Sequence, residues 1–215
     1  MITKQQLKIL SVYGSNLFGE LTFRQVKEQS RQKSNNVVQI ALKEFLNNGL
    51  VKPRQVGDVN TYSLNLNSLA CSYLNLINEL GIGERKLPFK VLDEIRLRVS
   101  RYTPFFILLV FGSYAKGKAD PKSDLDIAII VESLQTKKEI IPALETVKRR
   151  ELLGIDYHIF TLGEFHEMLM AAQENVGKEI YRDGLIYHGA IPYYSIISSL
   201  KNGTSFRTES LTGRE

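Results

Sequence analysis

Cysteine is nearly missing from this chain, with Cys71 the only one in 215 residues. An internal disulfide and a cysteine-based zinc cluster are therefore excluded. Cys71 is left the role of a small buried apolar residue, and this usage fits a reducing cytoplasm. Histidine is almost as scarce, and neither His166 nor His188 stands at a metal-ligand spacing. Long apolar runs are missing too. The longest, Phe105 to Phe111, falls far short of the roughly 20 residues a membrane-spanning helix needs. No basic segment leading into an apolar stretch opens the sequence, so neither a signal peptide nor a membrane partner is expected. Internal repeats and long flexible linkers are likewise absent.

What is present is ordinary in bulk and uneven in charge. A hydrophobic fraction of 43% with 24% charged residues describes a soluble globular chain, long enough for one large domain or two small ones. The net charge of +5 lies wholly in residues 1–66, which hold 9 Lys/Arg against 4 Asp/Glu; the other 149 residues hold 19 of each. A compact basic N-terminal part beside a neutral remainder points to a polyanionic partner.

Helical start signals dominate the basic part. Thr3 can cap a helix through Leu7 and Leu10, with Gly14 near its end. Thr22 and Gln25 make a capping box, and Leu21 and Val26 stand where a hydrophobic staple needs them. That helix ends near Ser30. Ser34 then caps a third, whose Val38, Ala41, Leu42, Phe45 and Leu46 recur at helical spacing before Gly49. Two β-prone runs follow, Leu50 to Arg54 and Thr61 to Leu64, separated by a loop containing Gly57. They read as a hairpin, with Pro53 on an edge strand. Helix, short helix, helix and hairpin over residues 1–66 resembles a winged helix-turn-helix domain. The resemblance implies duplex DNA as partner, with the third helix in the major groove and the wing on the backbone. Asn35, Asn36, Gln39 and Lys43 would then face base edges. Arg31, Lys33, Lys52 and Arg54 would meet phosphates. A winged helix of this kind that binds protein, or only mediates dimerisation, is the other reading.

Residues 67–100 read as a helical connector. One helix runs from Asn67 to Leu80 and is broken by Gly81-Ile82-Gly83; a second runs from about Pro88 to Tyr102. These helices could join two modules or form a homodimer seam.

Chemistry concentrates further on. Phe105 to Phe111 is a strand-length apolar run, as a central strand buried on both faces requires, and it stops at Gly112-Ser113. A short helical turn, Tyr114 to Gly117, follows. Glycine lets the backbone come close, helix-start N–H groups point outward, and a serine hydroxyl adds a donor, so this place suits phosphate. After a turn-rich loop comes a second apolar strand, Asp124-Leu125-Asp126-Ile127-Ala128-Ile129-Ile130-Val131. Period-2 alternation puts both acids on one face, roughly 7 Å apart at Cα. Two acids on an otherwise apolar strand are expensive without a cation between them, and oxygen-only ligands suit magnesium.

This stretch resembles the nucleotidyltransferase superfamily built on the DNA polymerase beta palm. The pattern there is an apolar strand, Gly-Ser, about ten residues, then Asp-x-Asp. Here it is Phe111-Gly112-Ser113, residues 114–123, and Asp124-Leu125-Asp126. The fuller form, Gly-Ser-x-Ala-Arg/Lys-Gly followed by Ser-Asp-Leu/Ile-Asp, is similar to the minimal branch of that superfamily, with Lys116 where Arg is common. The resemblance implies a third carboxylate on a neighbouring strand. Asp156 in Ile155-Asp156-Tyr157-His158-Ile159 is the candidate, opposite the face of Ile155, Tyr157 and Ile159. It also implies two Mg²⁺ ions held by Asp124, Asp126 and Asp156, and a nucleoside triphosphate, ATP first, held by Gly112, Ser113, Lys116 and Ser123. Asp156 would take the proton of the acceptor hydroxyl.

The expected fold class is α+β: a winged helix in residues 1–66, the connector over 67–100, a mixed-sheet nucleotidyltransferase domain over 101–191, and a C-terminal tail over 192–215. The expected activity is transfer of a nucleoside monophosphate to a hydroxyl acceptor that the sequence does not identify. The alternative is a DNA-binding regulator, or an antitoxin-like protein with a toxin partner, whose C-terminal module senses nucleotide.

Overall fold

The computed structural model describes residues 2–14 and 17–201. The chain forms two compact units, Met1–Glu84 and Arg85–Glu215.

The first unit begins where its capping residues dictate. In α1 (Lys4–Leu10) the Thr3 hydroxyl accepts from the Gln6 N–H, and the Gln6 amide oxygen accepts from the Thr3 N–H. Strand β1 (Glu20–Thr22) follows, then α2 (Phe23–Gln29), which opens on the same reciprocal arrangement between Thr22 and Gln25. Each box satisfies two orphan N–H groups of a helix start. Helix α3 (Asn35–Asn47) buries Val38, Ala41, Leu42 and Phe45. Gly49 at φ +65° then turns the chain into β2 (Val51–Val56), and Gly57 at φ +58° turns it again into β3 (Val59–Leu64).

The sheet order is β1-β3-β2, all antiparallel. Pro53 lies on the edge strand opposite Tyr62, where a missing N–H is tolerated. Strand β1 was not expected. Three residues carry too little periodicity to read as a strand, and only their pairing with β3 makes them one.

Helix α4 (Ser68–Gly83) completes the unit, with the Asn67 side chain accepting from the Ala70 N–H at 2.8 Å. The expected break at Gly81 is not there. A helical glycine costs about 1 kcal/mol against alanine, whereas burying an isoleucine contributes about 1.5–3 kcal/mol. Ile82, between the two glycines, is buried, and burial decides the matter.

The second unit starts with α5 (Phe89–Val99), introduced by Pro88. Of the 67–100 region, α4 falls in the first unit and α5 in the second. The centre of the second unit is a four-stranded mixed sheet. Strand β4 (Phe106–Val110) is buried at every position. The turn of helix α6 (Gly112–Ala115) follows, then β5 (Leu125–Val131). Helix α7 (Leu134–Arg150) crosses over to β6 (Ile155–Thr161) and packs on α5. Glu94 of α5 pairs with Arg98 at 2.7 Å and with Arg150 of α7 at 3.5 Å.

Helices α8 (Leu162–Met170) and α9 (Val176–Asp183) lead to β7 (Leu185–His188). The sheet order is β6-β5-β4-β7, parallel between β5 and β6 and antiparallel elsewhere. The last element is α10 (Ala190–Lys201), which replaces the beginning of the expected tail. Its Tyr193, Tyr194, Ile196 and Ile197 are buried, and it packs against β4. Apolar burial outweighs the helix-indifferent serines around it. The remainder of that tail, from residue 202, lies outside the described residues. No helix among the described residues is long and apolar enough to cross a membrane.

Candidate active site

The acids lie at one end of the second unit's sheet because of register. Antiparallel pairing of β4 with β5 sets Val110 against Ile127, and the Phe111 N–H donates to the Asp126 carbonyl at 3.0 Å. The chain then leaves β4 through Gly112, at φ +64°. An alanine Cβ there would stand 2.0 Å from Asp126 Oδ2. The left-handed turn and the close approach both require glycine.

On the other side of β5, parallel pairing sets Asp126 directly against Asp156 of β6. Asp124 precedes β5, two residues from Asp126 and so on the same face. The Leu125 N–H donates to the Gly154 carbonyl at 2.8 Å, and a Cβ on Gly154 would stand 1.8 Å from Asp124 Oδ1. Two glycines therefore make room for two carboxylates. Gly154 was not singled out from the sequence, although a glycine directly before a strand that carries an acid is a legible signal.

Electrostatics tie these groups together. Burial pushes the Asp126 carboxyl above its usual range, and the charges of Asp156, Asp124 and Glu179 push it the same way, with His158 opposing. Glu179 of α9 is a fourth acid that its sequence position did not reveal. Ser113, half-buried at the start of α6, has no hydrogen-bond partner for its hydroxyl among the described residues.

Residues 94–184 match the family model described as Polymerase beta, Nucleotidyltransferase. The match runs from α5 to the end of α9 and takes in Gly112, Ser113 and all three aspartates. It supports the nucleotidyltransferase superfamily for this domain and nucleotidyl transfer as its general activity. Nucleotidyltransferase domains generally use a nucleoside triphosphate and a divalent metal. A comparison with curated proteins finds no significant match.

The matched domain treats its other candidate residues differently. Lys116 reaches across to α9, with Nζ 2.9 Å from Glu179 and 3.3 Å from Asp183. Hydrogen bonds to Glu179 and Asp183 raise its pKa. Ser123 closes its own loop: its Oγ accepts from the Asp120 N–H at 2.9 Å. His158 Nε2 lies 3.7 Å from Asp156 Oδ2, and its ring stacks on Phe160 and tilts toward Phe111.

Among the described residues, no three His, Cys, Asp or Glu side chains converge closely enough to hold a metal ion. Like charges repel, and each carboxylate rests against a different neighbour: Asp124 on Gly154, Asp126 on Gly112, Asp156 near His158. The donor set itself still suits a hard divalent cation. It is all oxygen and sits on adjacent strands, and the Asp126 carboxylate is disfavoured first by burial and then by the repulsion of its acidic neighbours, both of which a cation would offset.

In the first unit, Arg31, Lys33, Asn35, Asn36, Gln39, Lys43, Lys52 and Arg54 are all exposed. Asn35 accepts from Lys27 Nζ at 2.6 Å. Arg54 pairs with Glu20 at 3.0 Å, an acid that β1 places on the same small sheet. Arg31 occupies the turn before α3 at φ +54°. Ile40, 54% exposed, joins them on α3 and was not anticipated.

Proposed function

We propose that the chain is a Mg²⁺-dependent nucleotidyltransferase tethered to a winged helix that binds duplex DNA. It would move a nucleoside monophosphate from a nucleoside triphosphate, ATP first, to a hydroxyl acceptor. The observation that carries this reading is the register that sets Asp126 against Asp156 while Gly112 lies on the Asp126 carboxylate.

The roles follow from position. The backbone N–H groups at the start of α6 and the Ser113 hydroxyl bind the β- and γ-phosphates. Asp124, Asp126 and Asp156 would hold the magnesium, which when bound neutralises phosphate charge and lowers the pKa of the acceptor hydroxyl. Asp156, the more exposed partner in the Asp126 pair, takes the acceptor's proton on its carboxylate. The acceptor oxygen then bonds to the α-phosphorus and pyrophosphate leaves. Lys116, now engaged by Glu179 and Asp183, and Ser123 lie on the same loop and complete the phosphate-binding set. In the first unit, the outer face of α3 would enter the major groove with the β2–β3 hairpin on the backbone.

Calorimetry tests the site. ATP is expected to bind with Mg²⁺ and to lose affinity with EDTA or in Asp124→Ala and Asp126→Ala. Equal affinity in all four conditions would remove the reading. A second reading is a DNA-binding regulator that senses nucleotide without turnover, which the same acids would serve by holding a metal-bound nucleotide. Transfer of labelled nucleotide, as against binding alone, separates the two.

A further inference from the structure

Helix α3 carries an aliphatic side chain in the middle of its solvent face. Its inner side is Val38, Ala41, Leu42 and Phe45. At about 100° per residue, Asn36, Ile40, Lys43 and Asn47 fall in one stripe about 60° wide on the opposite side, with Gln39 at its border. All five are exposed, and Ile40 leaves 54% of its surface in solvent. The stripe has one cation and no acid. Glu44, the helix's sole carboxylate, is held by the Asn48 amide at 2.9 Å.

We propose that this stripe reads A·T base pairs in the major groove, with Ile40 seated on a thymine C5-methyl group. The proposal rests on the DNA-binding part of the reading above and adds what is read. Asn36 and Gln39 each offer the paired donor and acceptor that match adenine N6 and N7. An aliphatic side chain finds an apolar partner on a major-groove base edge only at the thymine methyl. Reading G·C pairs would call on basic side chains for guanine and an acid for cytosine, and the stripe offers Lys43 alone. The choice of DNA as occupant comes from charge: residues 1–66 carry the chain's entire +5 excess, with Arg31, Lys33 and Lys52 exposed. Ile40 lies on the side of α3 turned away from its buried residues, so its role lies outside the core of the unit.

The test uses the full chain and three duplexes, each about two helical turns or roughly 20 bp: mixed A·T, the same sequence with uracil for thymine, and G·C. Fluorescence anisotropy at low salt reads the affinities. The thymine duplex should bind at least about 10-fold tighter than the G·C duplex, since each good bidentate base pairing discriminates by about that much or more. Uracil should weaken binding about fourfold for each methyl seated, the value expected for losing one buried methyl-sized group. Ile40→Ala should bind thymine and uracil duplexes equally, with an unfolding temperature unchanged from wild type. Wild-type protein that binds thymine and uracil duplexes equally would overturn the role of Ile40 and leave DNA binding standing. So would an Ile40→Ala chain that keeps the thymine preference. Failure to bind any duplex at low salt would overturn the DNA reading and this inference together.

Discussion

Gly112→Ala tests the geometry on which the candidate active site depends. Two costs add at this position. The first is backbone: at φ +64° an L-residue costs about 1–2 kcal/mol. The second is steric. The new Cβ would stand 2.0 Å from Asp126 Oδ2, and ordinary van der Waals separation begins at 3.4 Å, so the carboxylate must retreat by 1.4 Å. Its backbone cannot follow, because the Phe111 N–H and the pairing with β6 hold Asp126 in place. The side chain must leave its rotamer, at about 0.5–1.5 kcal/mol. Together these predict a loss of about 2–3 kcal/mol and a fall of roughly 5–12 °C in the unfolding temperature of this unit.

Activity should fall further. Displacing a reacting or ligating group by about 1 Å can cost about 100-fold. Calorimetric unfolding together with release of pyrophosphate from labelled nucleotide gives both numbers. A double-mutant cycle with Asp126→Ala then separates the two costs: in that background the steric cost vanishes and about 1–2 kcal/mol remains. An unchanged unfolding temperature, or the same loss in both backgrounds, would refute the reasoning.

The other predictions are simpler. Asp126 is held above the usual carboxylate range by burial and by Asp156, Asp124 and Glu179, so the fold favours its protonated form. Asp126→Asn should therefore raise stability at neutral pH, and the gain should fade as pH drops through the folded pKa, disappearing below the unfolded value of about 3.9; a pH-independent difference in unfolding temperature would contradict this. Asp156→Asn keeps shape and removes charge, so transfer should collapse while the metal-free protein stays as stable as wild type or slightly more so; full transferase activity would remove Asp156 from the chemistry. Duplex binding should weaken steeply with salt, and the log–log slope should shrink by about 0.9 for each phosphate that a neutralised side chain no longer meets. Of Arg31, Lys33, Lys43 and Arg54, neutralising Arg54 should change that slope least, because Glu20 already holds it; an equal or larger change at Arg54 would show that the pair opens on binding.

Several features were legible because their causes are local. Thr22 and Gln25 lie three residues apart, and that spacing alone makes a capping box. Leu50–Leu64 showed two β-prone runs around a glycine, and the hairpin turns there. Phe106 to Val110 is unbroken apolar sequence, and a strand buried at every position is what such a run permits. That Asp124 and Asp126 share one face is legible because period-2 alternation is a property of the strand itself, while their spacing from Gly112-Ser113 is a feature of the family resemblance.

The local pattern misleads where a distant partner decides. Gly81 to Gly83 looked like a helix end, but buried Ile82 carries α4 through it. Residues 192–201 looked like tail because serines dilute the pattern, yet their tyrosines and isoleucines are buried and form α10. Glu20 to Thr22 becomes a strand only through β3, and with it Arg54 acquires an acid partner. Glu179 and Gly154 join the aspartates only because α9 and the β5–β6 pairing bring them there.

Where the candidate acids stand, and how they alternate along a strand, can thus be read from the amino-acid order, since both follow from neighbours a few positions apart. That Asp126 faces Asp156, and that Lys116 is engaged by Glu179 and Asp183, could be read only from the folded chain. Those are consequences of strand register and burial, and both are set by packing between residues far apart in the sequence.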